Sequence, residues 1–397
     1  MALQILHRKL PQFCAHLCSA VIGYLSSRNS SADGSPLLLF LRDQTSSRLL
    51  EQVLLVSVQT SSRLLEQVLL VSEPARLQSL FEDHFQGHLQ TLAAHPIANF
   101  PLQRFLDAIT TTELLSPVFE ELSPALEAVL AQGHPGVVIA LVGACRRVGT
   151  HQAQVLQLLL EAFHCAEPAS RQVAWEAFHC AEPASRQVAC VPLFAALMAY
   201  EVYYGLVEEE GAVPAEHQVE MATARDLGEV TVIGSLLLQH LLHFSSPSLV
   251  LRSLGALTGP QLLTLAQSPA GSHVLDAVLA SPAGSHVLDA VLASPAVTRK
   301  QRRRVLKTLK GQYVALACSR HGSRVLDAIW NGAALGARKE IAAELGERNQ
   351  ELIRDPFGHH VARNVALTTF LKRREAWEQQ QGAVAKRRRA LSSILED

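Results

Sequence analysis

Short polar triplets recur along the 397-residue sequence in a fixed arrangement, and their residue types are the ones best suited to chemistry. In "SRLLE" (62–66), positions one, two and five are a hydroxyl, a guanidinium and a carboxylate, with two leucines between them. The same unit stands at 47–51, and variants follow as "QRFLD" (103–107), "SLLLQ" (235–239), "SHVLD" (285–289), "SRVLD" (323–327) and "HHVAR" (359–363). The candidate binding residues are Ser47, Arg48, Glu51, Ser62, Arg63, Glu66, Gln103, Arg104, Asp107, Ser235, Gln239, Ser285, His286, Asp289, Ser323, Arg324, Asp327, His359, His360 and Arg363. On a helix, residues four apart are neighbours, so positions one, two and five share a side while three and four point into the layer behind. A hydroxyl beside a carboxylate can accept from the two donors on the Watson–Crick edge of guanine, and a guanidinium or imidazole can lie flat on a base. One such unit is an ordinary solvated helix face. An aligned series is a reader of single-stranded nucleic acid, one base per unit.

Such reading requires units stacked at a constant rise. From Ser62 onward, and counting Val137 of the apolar "VVIAL" (137–141), first positions are separated by 41, 34, 98, 50, 38 and 36 residues. Val137, Val138 and Leu141 cannot hydrogen-bond a base. Between the units the apolar spacing is helical, as in "PQFCAHLCSAVIGYL" and "ELLSPVFEELSPALEAVLAQ", with breakers such as "HPG" and "TGPQ". The expected fold is all-α, an α-solenoid of stacked helical repeats.

The two long gaps have a separate cause. "QTSSRLLEQVLLVS" occurs at 44–57 and 59–72, "EAFHCAEPASRQVA" at 161–174 and 176–189, and "SPAGSHVLDAVLA" at 268–280 and 281–293, each pair identical. Offsets of 15, 15 and 13 residues are too short for a helix-pair repeat. An insertion of 15 residues turns a helix about 60° past whole turns, and one of 13 leaves it about 140° out of phase. Both copies cannot face the same neighbours. One of each pair is redundant, and without it the period is 34 to 42 residues, with one degenerate unit between 141 and 235.

Charge is unevenly placed. Residues 1–297 hold 14 Lys/Arg against 26 Asp/Glu, and residues 298–397 hold 21 against 10. The run "TRKQRRRVLKTLKGQ" offers Arg302, Arg303, Arg304 and Lys307 as phosphate contacts, and it or the basic tail can serve as a nuclear import signal. The seven cysteines lack CxxC spacing and read as reduced, buried thiols. Cys14, His16 and Cys18 in "FCAHLC" have no second ligand pair, so no metal is expected. There is no phosphate loop and no Gly-x-Ser-x-Gly, which speaks against an enzyme. No apolar run reaches the roughly 20 residues of a membrane helix. Helix-like sequence begins directly at Met1, as though the chain starts inside a larger architecture.

"DPFGHHVARNV" (355–365) resembles the Pumilio signature, in which an Asp, an aromatic and a Gly precede the base-reading helix, and "SRLLE", "SRVLD" and "SHVLD" resemble its reading pentamer. The order of degenerate and well-formed units is similar to a divergent, nucleolar branch of the Pumilio-like (PUF) repeat family. The resemblance implies stacked three-helix repeats over 1–370 and a basic helical tail over 371–397. It implies a non-enzymatic monomer without cofactor that binds single-stranded precursor ribosomal RNA in small-subunit (18S rRNA) maturation. It further implies residence in the nucleus and nucleolus, pre-ribosomal small-subunit proteins as partners and no membrane association. Two departures stand out: Asp289 and Asp327 are one methylene shorter than the Glu of "SRLLE", and the resemblance implies that the family's N-terminal repeats are absent from this sequence. The competing reading is a HEAT- or armadillo-type protein scaffold, which has no need for the polar triplets.

Overall fold

The computed structural model describes residue 20 and residues 74–166, 187–205, 227–279 and 307–383. Contacts divide the chain into two compact units, Met1–Ala162 and Phe163–Asp397. Among the described residues all regular structure is helical, as the 3.6-residue periodicity predicts.

In the first unit, α1 (Pro74–Leu80) runs into a π-helical turn at Phe81–Phe85, followed by α2 (Leu89–Ala94), α3 (Asn99–Ala108) and α4 (Thr112–Leu122). Then come α5 (Leu126–Ala131), α6 (Pro135–Val148) and α7 (Gln152–Ala162). The reading helix α3 packs on its counterpart α6, while α2 packs on α4 and α5 on α7. The core between them holds Phe85 and Phe105, fully buried and edge to face with centroids 5.0 Å apart.

The second unit contains α8 (Cys190–Ala196), α9 (Tyr200–Tyr204), α10 (Val232–Leu242), α11 (Ser248–Leu254), α12 (Gly259–Gln267) and α13 (Gly271–Leu279). It continues with α14 (Tyr313–Ala317), α15 (Gly322–Gly332), α16 (Leu335–Glu347), α17 (Asn349–Arg354), α18 (Pro356–Asn364) and α19 (Leu367–Lys372). Helices α8, α10, α13, α15 and α18 pack each on the next, an unbroken row that supplies one wall of the stack. Each of these helices carries one reading unit or its degenerate counterpart.

Three glycines set the entry to that wall. A Cβ on Gly271, Gly322 or Gly358 would lie 2.3, 2.7 or 3.0 Å from the carbonyl oxygen of Leu265, Leu316 or Leu352, always six residues earlier. The chain reverses between the two helices so tightly that no side chain fits, which is why a Gly stands ahead of the pentamer. At α18 the preceding Asp355 adds an N-cap, its Oδ1 accepting from Phe357 N at 2.8 Å and Gly358 N at 2.7 Å, with Pro356 in the first turn.

A second recurring device holds the front of a repeat. Glu121 accepts from Gly87 N (2.9 Å) and Leu89 N (2.7 Å), and Glu344 accepts from Gly311 N (2.8 Å) and Tyr313 N (2.7 Å). Gly87 and Gly311 take left-handed φ of 80° and 88°, so the turn presents two amides to one carboxylate. At the far end, residues 374–383 are helical and cover the last repeat. Trp377 is 0% exposed, donates to Val365 O at 2.8 Å and packs edge to face on Phe370. The buried Arg338 donates to Trp330 O and Gln381 Oε1, both at 3.0 Å, tying the same helix down.

The duplications resolve unevenly. The first copy of "SPAGSHVLDAVLA" forms α13, packed between α10 and α15, whereas Ser285, His286 and Asp289 of the second copy lie outside the described residues. The identical unit at 272–276 of the first copy is the one described, on α13. In the second duplication the start of the first copy is packed, with Phe163 4.9 Å from Phe194 and accepting from Tyr200 N at 3.0 Å. The end of the second copy, Gln187–Ala189, leads into α8, and residues 167–186 between them lie outside the description. The copies at 44–72 also lie outside it.

Candidate nucleic-acid interface

The five-residue frame is realised in space. Positions three and four are buried in α3 (Phe105, Leu106), α10 (Leu237, Leu238), α13 (Val274, Leu275) and α15 (Val325, Leu326), as is Val361 in α18. Position two points out: Leu236, His273, Arg324 and His360 are exposed and Arg104 is half-buried. Position five is intermediate at Asp107, Gln239, Asp276 and Asp327, and exposed at Arg363.

On α3 the triplet is braced from behind. Asn99, 3% exposed, donates to His95 O at 2.8 Å and accepts from Gln103 Nε2 at 3.0 Å, which fixes the orientation of the Gln103 amide. A Cβ on Gly136 of α6 would sit 2.7 Å from that amide, so glycine there leaves it room. Arg104 pairs with Asp107 at 2.7 Å. Burial pushes the Asp107 carboxyl above its ordinary value, and the guanidiniums of Arg104 and Arg147 oppose this. Arg147 also donates to Leu106 O at 2.7 Å, closing the C-terminus of α3 from the neighbouring helix.

Along α10 the outcome differs from expectation. Ser235 is 2% exposed; its Oγ donates to Ala270 O at 2.6 Å and accepts from Gln239 Nε2 at 3.0 Å. The hydroxyl therefore joins α10 to the turn ahead of α13 and is not turned to the open face, and Gln239 is partly committed to it. Position two is a leucine here. Helix α6 opens no reading position, since Val137, Val138 and Leu141 are at most 1% exposed.

Helices α13, α15 and α18 form the well-supplied part. Ser272 is buried against Pro269 O, while the exposed His273 stands 3.7 Å from Asp276. Ser323 donates to Arg320 O at 3.1 Å, and Arg324 is exposed beside it. The Asp327 carboxyl is raised by burial, and a 3.5 Å hydrogen bond from Asn364 Nδ2 on the next helix opposes the rise. His359 and His360 are both exposed, ring centroids 5.7 Å apart, with Arg363 on the same helix. On α13 and α15 an exposed imidazole or cation at position two with a carboxylate one turn on is the equipment for a base face and a base edge, whereas on α18 position five is Arg363, which can only donate.

Ser47, Arg48, Glu51, Ser62, Arg63, Glu66, Arg302, Arg303 and Arg304 lie outside the described residues; Lys307 is described and exposed. The sequence reading missed Ser272, His273 and Asp276, which are identical in sequence to the copy it selected, and it missed Asn99, Arg147 and Asn364, whose roles depend on a neighbouring turn or helix.

Burial pushes the thiols of Cys145 and Cys190 up to about 12, so neither is a thiolate near neutrality. Ser116 Oγ lies 2.9 Å from His151 Nε2, but the imidazole is stacked on Phe119 and its other nitrogen meets the neutral Gln154 amide, an arrangement that joins two helices. Among the described residues no helix is long and apolar enough to cross a membrane.

Comparison with known proteins agrees with this geometry. A family model described as the NOP9-like PUF repeat domain matches residues 54–284 and 280–360, the two matches meeting where the copies of the third duplication join. Nucleolar protein 9 of Homo sapiens is 79% identical over 397 residues, 100% of this chain and 56% of the relative, and that of Mus musculus is 78% identical over the same span. Pumilio homolog 23 of Arabidopsis thaliana is 24% identical over 77% of this chain and 35% of its own. The chain thus spans about half the length of the first two relatives. A solved structure described as APUM23-GGAAUUGACGG superposes with a TM-score of 0.66 at 21% identity, over 96% of this chain and 61% of that one, a likeness of fold.

Proposed function

The chain belongs to the NOP9-like PUF repeat family, and from that premise we propose that it binds single-stranded RNA without catalysing a reaction, its repeats contacting successive bases. The observation that carries this is the pattern on α13, α15 and α18: positions three and four in the core, position two exposed as His273, Arg324 and His360, and a polar residue at position five. A scaffold whose groove binds a protein has no need of that pattern. The RNA path runs over the repeats of 1–370, and the basic residues from 298 onward, including the tail 371–397, contact phosphates. The relatives named nucleolar protein 9 support a nucleolar setting, in which the RNA is precursor ribosomal RNA and the process is maturation of 18S rRNA alongside small-subunit proteins, the protein acting as a monomer.

Arg324→Ala and His360→Ala test the reading. Each should weaken binding of a fluorescent single-stranded RNA by about 1–3 kcal/mol, the worth of one stacking partner, with an unchanged circular dichroism spectrum. Full RNA affinity in both variants would favour the protein scaffold.

A further inference from the structure

A lone exposed phenylalanine means little, because folded proteins leave much apolar surface in water. Phe100 is different because of its register. It is 53% exposed in the first turn of α3, four residues before Arg104, which occupies position two. Four residues advance a helix by about 6 Å and turn it by only about 40°, so the two side chains leave the same face one above the other.

The same offset is outward on the other reading helices. Val232 precedes Leu236, and they are 68% and 42% exposed. Pro269 precedes His273, Arg320 precedes Arg324 and Pro356 precedes His360, all exposed. On α3, α10 and α18 the face that carries position two therefore extends one turn toward the helix N-terminus, beyond the pentamer; at α13 and α15 the exposed residue lies in the turn just ahead of the helix, and α3 places an aromatic ring at this position. Asp107 holds the Arg104 guanidinium at 2.7 Å, and Asn99, buried next to Phe100 in sequence, anchors the Gln103 amide. Ring, cation and amide are thus grouped on consecutive turns of one helix.

We propose that Phe100 is a base-binding residue, its ring stacking on an unpaired nucleobase of single-stranded RNA next to the base that meets Arg104. The inference rests on the RNA-binding reading above and adds to the pentamer a further position, four residues before position two. A phenyl face accepts any base, so Phe100 contributes affinity at its nucleotide without selecting its identity.

The test uses the full 397-residue chain and fluorescein-labelled GGAAUUGACGG, the oligonucleotide of the APUM23 structure, together with a series in which each nucleotide in turn is abasic. Phe100→Ala should weaken binding roughly 5- to 150-fold, Phe100→Trp should retain it, and Phe100→Leu, apolar but not aromatic, should not. In Phe100→Ala one abasic substitution should cost nothing further, because ring and base are lost as one contact. Wild-type affinity in Phe100→Ala together with loss in Arg104→Ala overturns the proposal and leaves the RNA reading standing. A uniform loss at every abasic position, with no nucleotide silenced, also overturns it. If the wild-type chain does not retain the oligonucleotide at all, the RNA reading falls and the proposal with it.

Discussion

A carboxylate that accepts from a base edge, the role proposed for Asp327, must be ionised, and burial works against that. Burial raises its carboxyl above the ordinary value, and the amide of Asn364 only partly opposes the shift. Because the folded protein holds this proton more tightly than the unfolded chain does, the group's contribution to stability is fully present below its unfolded pKa and is lost as pH rises through the raised one. RNA binding runs the other way: an acceptor for guanine is present above the raised pKa and disappears as pH falls through it. Asp327→Asn should weaken binding at neutral pH by about 1.5–3 kcal/mol, the worth of hydrogen bonds to a charged group. The gap between wild type and variant should close as the solution is acidified toward the carboxylate range. Titrating histidines affect both proteins alike and drop out of the difference. A gap that stays constant with pH would remove Asp327 from the base edge. Asp107 differs in kind, since two guanidiniums oppose its burial, and it should keep its charge further into acid than burial alone would allow.

At the scale of the helix, much of the architecture is legible from the pentamers. Two apolar residues between polar ones predict which side faces the core, and Val325 and Leu326 between Arg324 and Asp327 obey this. The frame fails at Ser235, because whether a hydroxyl meets a ligand or a carbonyl depends on how closely the next repeat approaches, and here Ala270 O is 2.6 Å away. At the third duplication two identical segments cannot be told apart by sequence, and the described one is the first, on α13. The glycine ahead of the units on α13, α15 and α18 is visible in sequence, but its cause is the carbonyl six residues back. That cause ranks three substitutions. Adding a Cβ at Gly271 or Gly322 drives it to 2.3 or 2.7 Å from backbone oxygen, so alanine there should cost about 1–3 kcal/mol or more of stability. Gly358→Ala, at 3.0 Å, should cost less. Thermal melting of the three variants checks the order; a Gly358 variant less stable than the Gly271 variant would show that the tight reversal is not what requires glycine. Residues 374–383 were legible only as part of a basic tail, since nothing local announces that Trp377 will be fully buried or that Arg338 will anchor Gln381.

On the scale of the whole chain, stability in a repeat array is approximately a sum of repeat and interface terms, so an insertion matters through the interfaces it disturbs. Two duplications can be placed against this. Helix α13 is built from the first copy and contacts α10 and α15, while the second copy lies outside the described residues. Phe163 and the entry to α8 are both packed although 15 surplus residues separate them in sequence. Deleting 44–58, 161–175 and 268–280 therefore leaves every described helix its own sequence, because removing either member of an identical pair gives the same product. The shortened chain should melt at or above the temperature of the full chain and bind single-stranded RNA at least as well, since every described helix keeps its sequence and its described neighbours. Melting curves and fluorescence anisotropy on the two chains decide it. A lower melting temperature together with lost RNA binding would mean that the copies are structural units in their own right, and the repeat period of 34 to 42 residues would have to be abandoned.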